Sequence, residues 1–141
     1  MKSDLKISTS FVSPLTLPIF ISMDLLPIFI IRNIKTSDLI GCYSDTSVHY
    51  KILSPSTELF RKKRDKKITL EEFHKGYAKE ISEVDLEQVL REWEILSSCS
   101  HAKGLILLGY GSSYESCHRS TLTKILNNSE LLVNPIKEFI L

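Results

Sequence analysis

Cys117-His118-Arg119 is the run best suited to chemistry in this chain of 141 residues. A cysteine at a helix N-terminus beside a cation has a depressed pKa, so a thiolate nucleophile is chemically accessible. His118 shares a helical face with Leu122 and Ile125, which turns it towards a sheet edge, where it can act as general base or hydrogen-bond donor. Arg119, one turn inside, can clamp an oxyanion with its planar fork of donors. Each residue also has a plain structural role open to it. Cys117 can be a small buried hydrophobe, His118 a histidine bonded to a backbone carbonyl, and Arg119 a surface arginine. Just upstream, Gly109-Tyr110-Gly111-Ser112-Ser113 reads as a loop. Gly109 and Gly111 would let backbone approach a ligand closely, and Ser112 and Ser113 would add orienting hydrogen bonds. The amides of the following helix would seat a phosphate or carboxylate. No Gly-Lys-Ser/Thr follows, so this is not a Walker loop, and the third glycine of the dinucleotide fingerprint is missing.

The elements around this segment must place it. Leu105-Ile106-Leu107-Leu108 is a continuous apolar run, as expected of a strand covered on both faces. A helix beginning near Ser116 follows the loop, and Leu131-Leu132-Val133 reads as a last strand, with a helical tail after Pro135. Near the start, residues 5–11 alternate apolar and polar, the period of a half-buried strand. Leu17 to Ser22 and Pro27 to Arg32 are short, rich in Ile and Phe and bounded by proline, which favours buried strands. Asn33 to Tyr50 is turn-rich and reads mostly as loop. Ser54-Pro55 starts a helix ending in the charge run Arg61 to Lys67. Thr69-Leu70-Glu71-Glu72 is a capping box, and Phe73, Tyr77 and Ile81 follow on one face. Asp85 opens a further helix with an apolar stripe of Leu86, Val89, Leu90, Trp93 and Leu96. Strands first, helices in the middle, then strand, loop, helix and strand predict one layered α/β domain over residues 1–141.

Composition bounds the function. Hydrophobic residues make up 43% and charged residues 25%, enough to bury a core, which argues against disorder. Eighteen Lys+Arg against seventeen Asp+Glu leave a net charge of +1, so no global field draws the chain to nucleic acid or anionic lipid. A local contact with a phosphate backbone through Arg61, Lys62, Lys63 and Arg64 is the exception to consider, although no aromatics interleave there for base stacking. Cys42, Cys99 and Cys117 cannot all pair within one chain, which suggests a reducing, cytoplasmic setting. The apolar stretch from Leu15 to Ile31 is broken by Pro18, Asp24 and Pro27, so neither a membrane span nor a targeting segment is expected. Cys99, His101, Cys117 and His118 lack zinc-ligand spacing, and no metal or cofactor is expected.

Leu105 to Leu126, LILLGYGSSYESCHRSTLTKIL, resembles the closing signature of the uncharacterised bacterial, archaeal and phage family known as domain of unknown function 488. KISTSF (Lys6 to Phe11), LPIFIS (Leu17 to Ser22), YKILSPSTELF (Tyr50 to Phe60) and ITLEEFHKGYAKEI (Ile68 to Ile81) are similar to its earlier segments. The resemblance implies a single Rossmann-like domain with a mostly parallel central sheet flanked by helices. In that family the strand usually ends in Leu-Cys-(aromatic)-Glu, and the second strand is often followed by Ser-Arg. Gly109 stands where that Cys would be, Gly111 where the Glu would be, and Met23 where the Arg would be. The resemblance therefore implies the loss of a thiol and an acid, with Cys117, His118 and Arg119 kept.

These observations together favour binding of a nucleotide or another phosphorylated small molecule at the 109–119 loop, in a sensing or sequestering role. The alternative is an enzyme acting on a nucleoside, nucleotide or nucleic-acid base through Cys117 or His118. Self-association is left open by the sequence.

Overall fold

The structure is a computed structural model that describes residues 2–13, 15–32, 48–110 and 113–139. Five parallel strands form one sheet: β1 (Ile7–Phe11), β2 (Leu25–Phe29), β3 (Val48–His49), β4 (Gly104–Gly109) and β5 (Lys137–Glu138), in the order β3-β2-β4-β1-β5. The helices are α1 (Leu17–Ser22), α2 (Thr57–Arg64), α3 (Leu70–Ile81), α4 (Leu86–Ser100) and α5 (His118–Asn128). This is the layered α/β domain that the element order predicts. Among the described residues no helix is long and apolar enough to cross a membrane.

β4 lies at the centre, and all six of its residues are buried, because both of its faces are covered. Successive side chains divide between two cores, as the two-residue period of a strand requires. Leu26, Ile28, Ile30, Leu105 and Leu107 pack with Tyr77, Ile81, Val89, Leu90, Trp93, Leu122 and Leu126 of α3, α4 and α5. Phe29, Ile31, Ile106 and Leu108 pack on the other side with Leu17 and Phe20 of α1. The β1–β2 connection and the β3–β4 and β4–β5 connections run in opposite directions across the sheet. They occupy opposite faces, as crossovers of a single hand must.

Several boundaries differ from the sequence expectation. Leu17–Ser22 is a helix, not a strand. Ser13 Oγ accepts the N–H groups of Leu15 (3.3 Å) and Thr16 (3.1 Å), and Pro18 sits in the first turn, where its missing N–H costs nothing. Leu17 and Phe20, three apart, both point inward. β2 starts at Leu25 and holds Pro27 within it. Ile30 N–H donates to Leu108 O, so alternate nitrogens face β4, and that of Pro27 faces the other edge, where pairing with β3 starts only at Ile28.

α2 begins two residues later than Ser54-Pro55 suggests. Ser54 Oγ turns back to Lys51 O (2.6 Å), while Ser56 is the N-cap, its Oγ accepting Leu59 N–H at 3.2 Å. Ser56 N–H and Oγ–H also donate to the Glu80 carboxylate at 2.8 and 2.5 Å, which pins the start of α2 to α3. The Thr69 capping box forms with both of its bonds. α4 continues through the serines to Ser100, and His101 stops it in the left-handed region at φ 58°.

At the C-terminus, Leu132 makes one parallel bridge to Ser3 in place of a strand, and the expected helical tail is instead β5. The Asn127 amide brackets Ile136, accepting its N–H at 2.7 Å and donating to its carbonyl at 3.1 Å, and so delivers Lys137–Glu138 to the edge of β1. Of the segment expected as loop, Val48–His49 forms β3 and residues 33–47 lie outside the described residues.

α1 covers its face of the sheet chiefly through Phe20. Phe20→Ala is expected to lower unfolding stability by about 3–5 kcal/mol, the range for emptying a buried aromatic site. Urea unfolding followed by circular dichroism measures it, and a loss below about 1 kcal/mol would contradict this packing.

Candidate functional site

β2 and β4 are neighbours whose outgoing connections diverge, one towards β3 and the other past β1 to β5. Such a switch point opens a crevice at the carboxyl ends of the strands, where ligands of open α/β sheets bind. The candidate site lies there. β4 ends at Gly109, a short turn follows, and Cys117 is the N-cap of α5 in extended backbone (φ −96°, ψ 147°).

Two contacts fix His118. Its Nε2 donates to the carbonyl of Ile30 at 2.5 Å, just past the end of β2, so that nitrogen carries the proton. Nδ1 is thereby left facing Cys117 Sγ at 3.6 Å. The Tyr77 ring packs edge-on against the imidazole at 5.1 Å, and its hydroxyl donates to Leu53 O at 2.5 Å. Burial pushes the Cys117 thiol up. The hydrogen bond and charge of His118, then the Arg119 backbone N–H and guanidinium, outweigh it and bring the pKa from the ordinary 9.0 to about 6. That shift favours the thiolate form of Cys117. A backbone carbonyl holds the histidine here, the task a carboxylate performs in many catalytic triads.

The turn before Cys117 is held from α2 and α3. Lys63 Nζ donates to Ser116 O, and its ammonium lies 4.4 Å from the centroid of the Phe73 ring. Burial lowers the Lys63 pKa, and the negative charge of Cys117 opposes that shift. His74 Nε2 donates to Glu115 O and Nδ1 accepts from the Thr121 hydroxyl, both at 2.6 Å. Burial is the main cause lowering the His74 pKa, with the charges of Lys63, Lys124 and His118 adding to it against the Glu115 bond.

Cys117 and His118 open onto a cavity of about 480 Å³. This is a usual size for a small-molecule site. Ile31, Pro55, Phe60, Phe73 and Tyr110 give it apolar walls, and Arg32, Lys63 and Thr57 supply polar groups.

A family model described as the active DUF488-N3 subclade, DUF488-N3a, matches residues 32–130, well over half of the chain. The chain belongs to this family. No curated protein and no solved structure matches it. The matched span takes in most of the cavity wall and all of α5, while KISTSF and LPIFIS precede it.

In this DUF488 chain, Cys117 and His118 of the expected loop–helix site line the cavity, as does Lys63 of the basic run. Gly109 sits beneath them. A Cβ there would stand 2.8 Å from Cys117 Sγ, so the missing side chain gives the sulfur its place. Arg119 is 1% exposed and turns away, with Nη1 3.7 Å from the Glu138 carboxylate and the guanidinium 5.2 Å from the Tyr114 ring. It does not line the cavity. Ser113 is exposed and its carbonyl accepts the Ser116 hydroxyl, whereas Gly111 and Ser112 lie outside the described residues.

The basic run divides in the same way. Lys62 pairs with Glu58 and Arg64 with Asp65 at the surface, while Lys63 faces the site. Arg32, Phe60 and the Ile30 carbonyl are site groups that the sequence reading missed, and Lys63 was singled out there only for contact with a phosphate backbone. A signal was present, since Thr57, Phe60 and Lys63 recur every three residues and share one face of α2.

Gly109→Ala is expected to displace Sγ, lowering stability by about 1–3 kcal/mol, as overpacking does, and slowing alkylation of Cys117. Thermal unfolding and peptide-resolved mass spectrometry read the two effects. An unchanged Tm with unchanged alkylation would contradict the close approach.

Proposed function

We propose that this protein is an enzyme whose nucleophile is Cys117, acting on a small molecule of nucleoside, nucleotide or base size bound in the cavity. The observation that carries this reading is the 3.6 Å contact of Cys117 Sγ with His118 Nδ1 at the cavity wall, with the other ring nitrogen committed to Ile30 O. The Cys117 thiol passes its proton to His118 Nδ1, and the resulting thiolate attacks an electrophilic carbon and forms an S–C bond. The bond from that carbon to the leaving atom breaks, and the leaving atom takes its electron pair and the Nδ1 proton of His118. Neutral His118 then draws a proton from water, whose oxygen releases the product and restores the thiolate. The cavity's apolar walls suit a ring-sized body.

The sequence-based preference for a nucleotide held by the 109–119 loop and Arg119 has less support. The Arg119 guanidinium lies against Tyr114 and Glu138, away from the cavity. At the start of α5 the Arg119 N–H supports the Cys117 thiolate. We therefore place the ligand over Cys117.

The test compares iodoacetamide alkylation of Cys117 with that of glutathione, read by peptide mass spectrometry. Near pH 6 about half of Cys117 is thiolate, against well under 1% of an ordinary thiol. A low-pKa thiolate is a weaker nucleophile, so the net advantage is on the order of tenfold. Above about pH 9 the order reverses, because glutathione is then ionised too. His118→Ala is expected to abolish the advantage near pH 6. No advantage there in the wild-type protein would overturn the reading.

A further inference from the structure

The chain as a whole is almost neutral, with a net charge of +1, but the cavity wall is not. Its described lining residues include Arg32, Lys63 and His118 and no Asp or Glu. The two long cations come from separate parts of the chain and line the same cavity. Arg32 follows β2, and its Nε donates to Pro55 O at 3.3 Å, which lays the side chain along the start of α2. Lys63 reaches in from the last turn of α2 over the Phe73 ring. Among the described residues neither cation meets a carboxylate within ion-pair distance, although Lys62 and Arg64, on either side of Lys63, both do. An ammonium has three N–H donors and a guanidinium five, so one carbonyl each leaves most of that capacity directed elsewhere. Lys63 is half-buried beside the Phe73 ring, so its charge interacts with an anion more strongly than it would in open water, while Arg32 is the more exposed of the two.

We propose that Lys63 and Arg32 are specificity-determining residues that select a substrate bearing a negatively charged group, placing its electrophilic carbon at Cys117. The substrate class is an anionic organic electrophile; a nucleotide belongs to it and an uncharged nucleoside does not. This rests on the reading of Cys117 as the nucleophile. The same two cations also stabilise negative charge that develops on the leaving atom, before His118 delivers its proton.

Paired reagents test the proposal. Iodoacetate and iodoacetamide alkylate the same sulfur by the same displacement and differ in the carboxylate. The readout is the ratio of their rate constants at Cys117 near neutral pH, measured on the full chain by peptide mass spectrometry, with glutathione alongside. Taking a ratio within one protein cancels any change in the thiol itself. The ratio is expected to exceed that of glutathione severalfold, and to fall roughly three- to fivefold in Lys63→Met and again in Arg32→Gln, the range for a partly exposed charge pair. Arg32→Gln keeps the Lys63 bond to Ser116 O, so it stands as a test even if Lys63→Met does not fold. A wild-type ratio equal to that of glutathione, or a high ratio that neither variant lowers, would overturn the assignment. Slow reaction with both reagents near pH 6 would instead overturn the nucleophile reading beneath it.

Discussion

One contact organises the site: the Ile30 carbonyl accepts a proton from His118 Nε2. It ties α5 to the end of β2 across the sheet crevice, and it turns Nδ1 towards Cys117 Sγ. Without that bond the imidazole could choose either tautomer and either direction, and the thiol would lose the charge that overcomes its burial. The sulfur's position is set from below by Gly109 and its ionisation by His118. Chemistry is thus assembled from two strand ends that are neighbours only because the sheet order is β3-β2-β4-β1-β5.

The fold supports this contact on every side. Tyr77 packs against the imidazole and is itself held by Leu53 O, so α3 limits rotation of the ring. His74 and Lys63 hold the carbonyls of Glu115 and Ser116, which fixes the turn that presents Cys117. Glu80 pins the N-cap of α2 and so sets the direction in which Lys63 reaches. These groups lie on rigid helices and their partners are mostly backbone atoms, an arrangement that keeps a reactive group within narrow limits. Gly109 stands where the family resemblance places a cysteine. In this chain even a Cβ at that position would intrude on Sγ, so the glycine serves the remaining thiol.

Much of the site was legible from local chemistry. Cys117 next to His118 at a helix start, the all-apolar β4 and the Thr69 capping box each carry their structural signal within a few residues. Leu17–Ser22 misled because Leu17, Ile19, Phe20 and Ile21 around Pro18 fit a buried strand or a first helical turn equally well; the turn held by Ser13 Oγ just upstream leads into the helix. Arg119 misled for a different reason. The periodicity that turns His118 inward also puts Arg119 on the buried face with Leu122 and Leu126, despite its charge. Arg32 and Lys63 were not legible as a pair. Arg32 follows β2 and Lys63 lies on α2, and only the tertiary fold brings them to one cavity.

The account stands on Cys117 being a thiolate under neutral conditions. The most direct measurement is the ultraviolet absorbance of the thiolate as a function of pH, taken as the difference between the wild-type protein and Cys117→Ser. The account predicts one ionisation in that difference centred near pH 6. A midpoint at about 8.5, where an unassisted cysteine titrates, would contradict it.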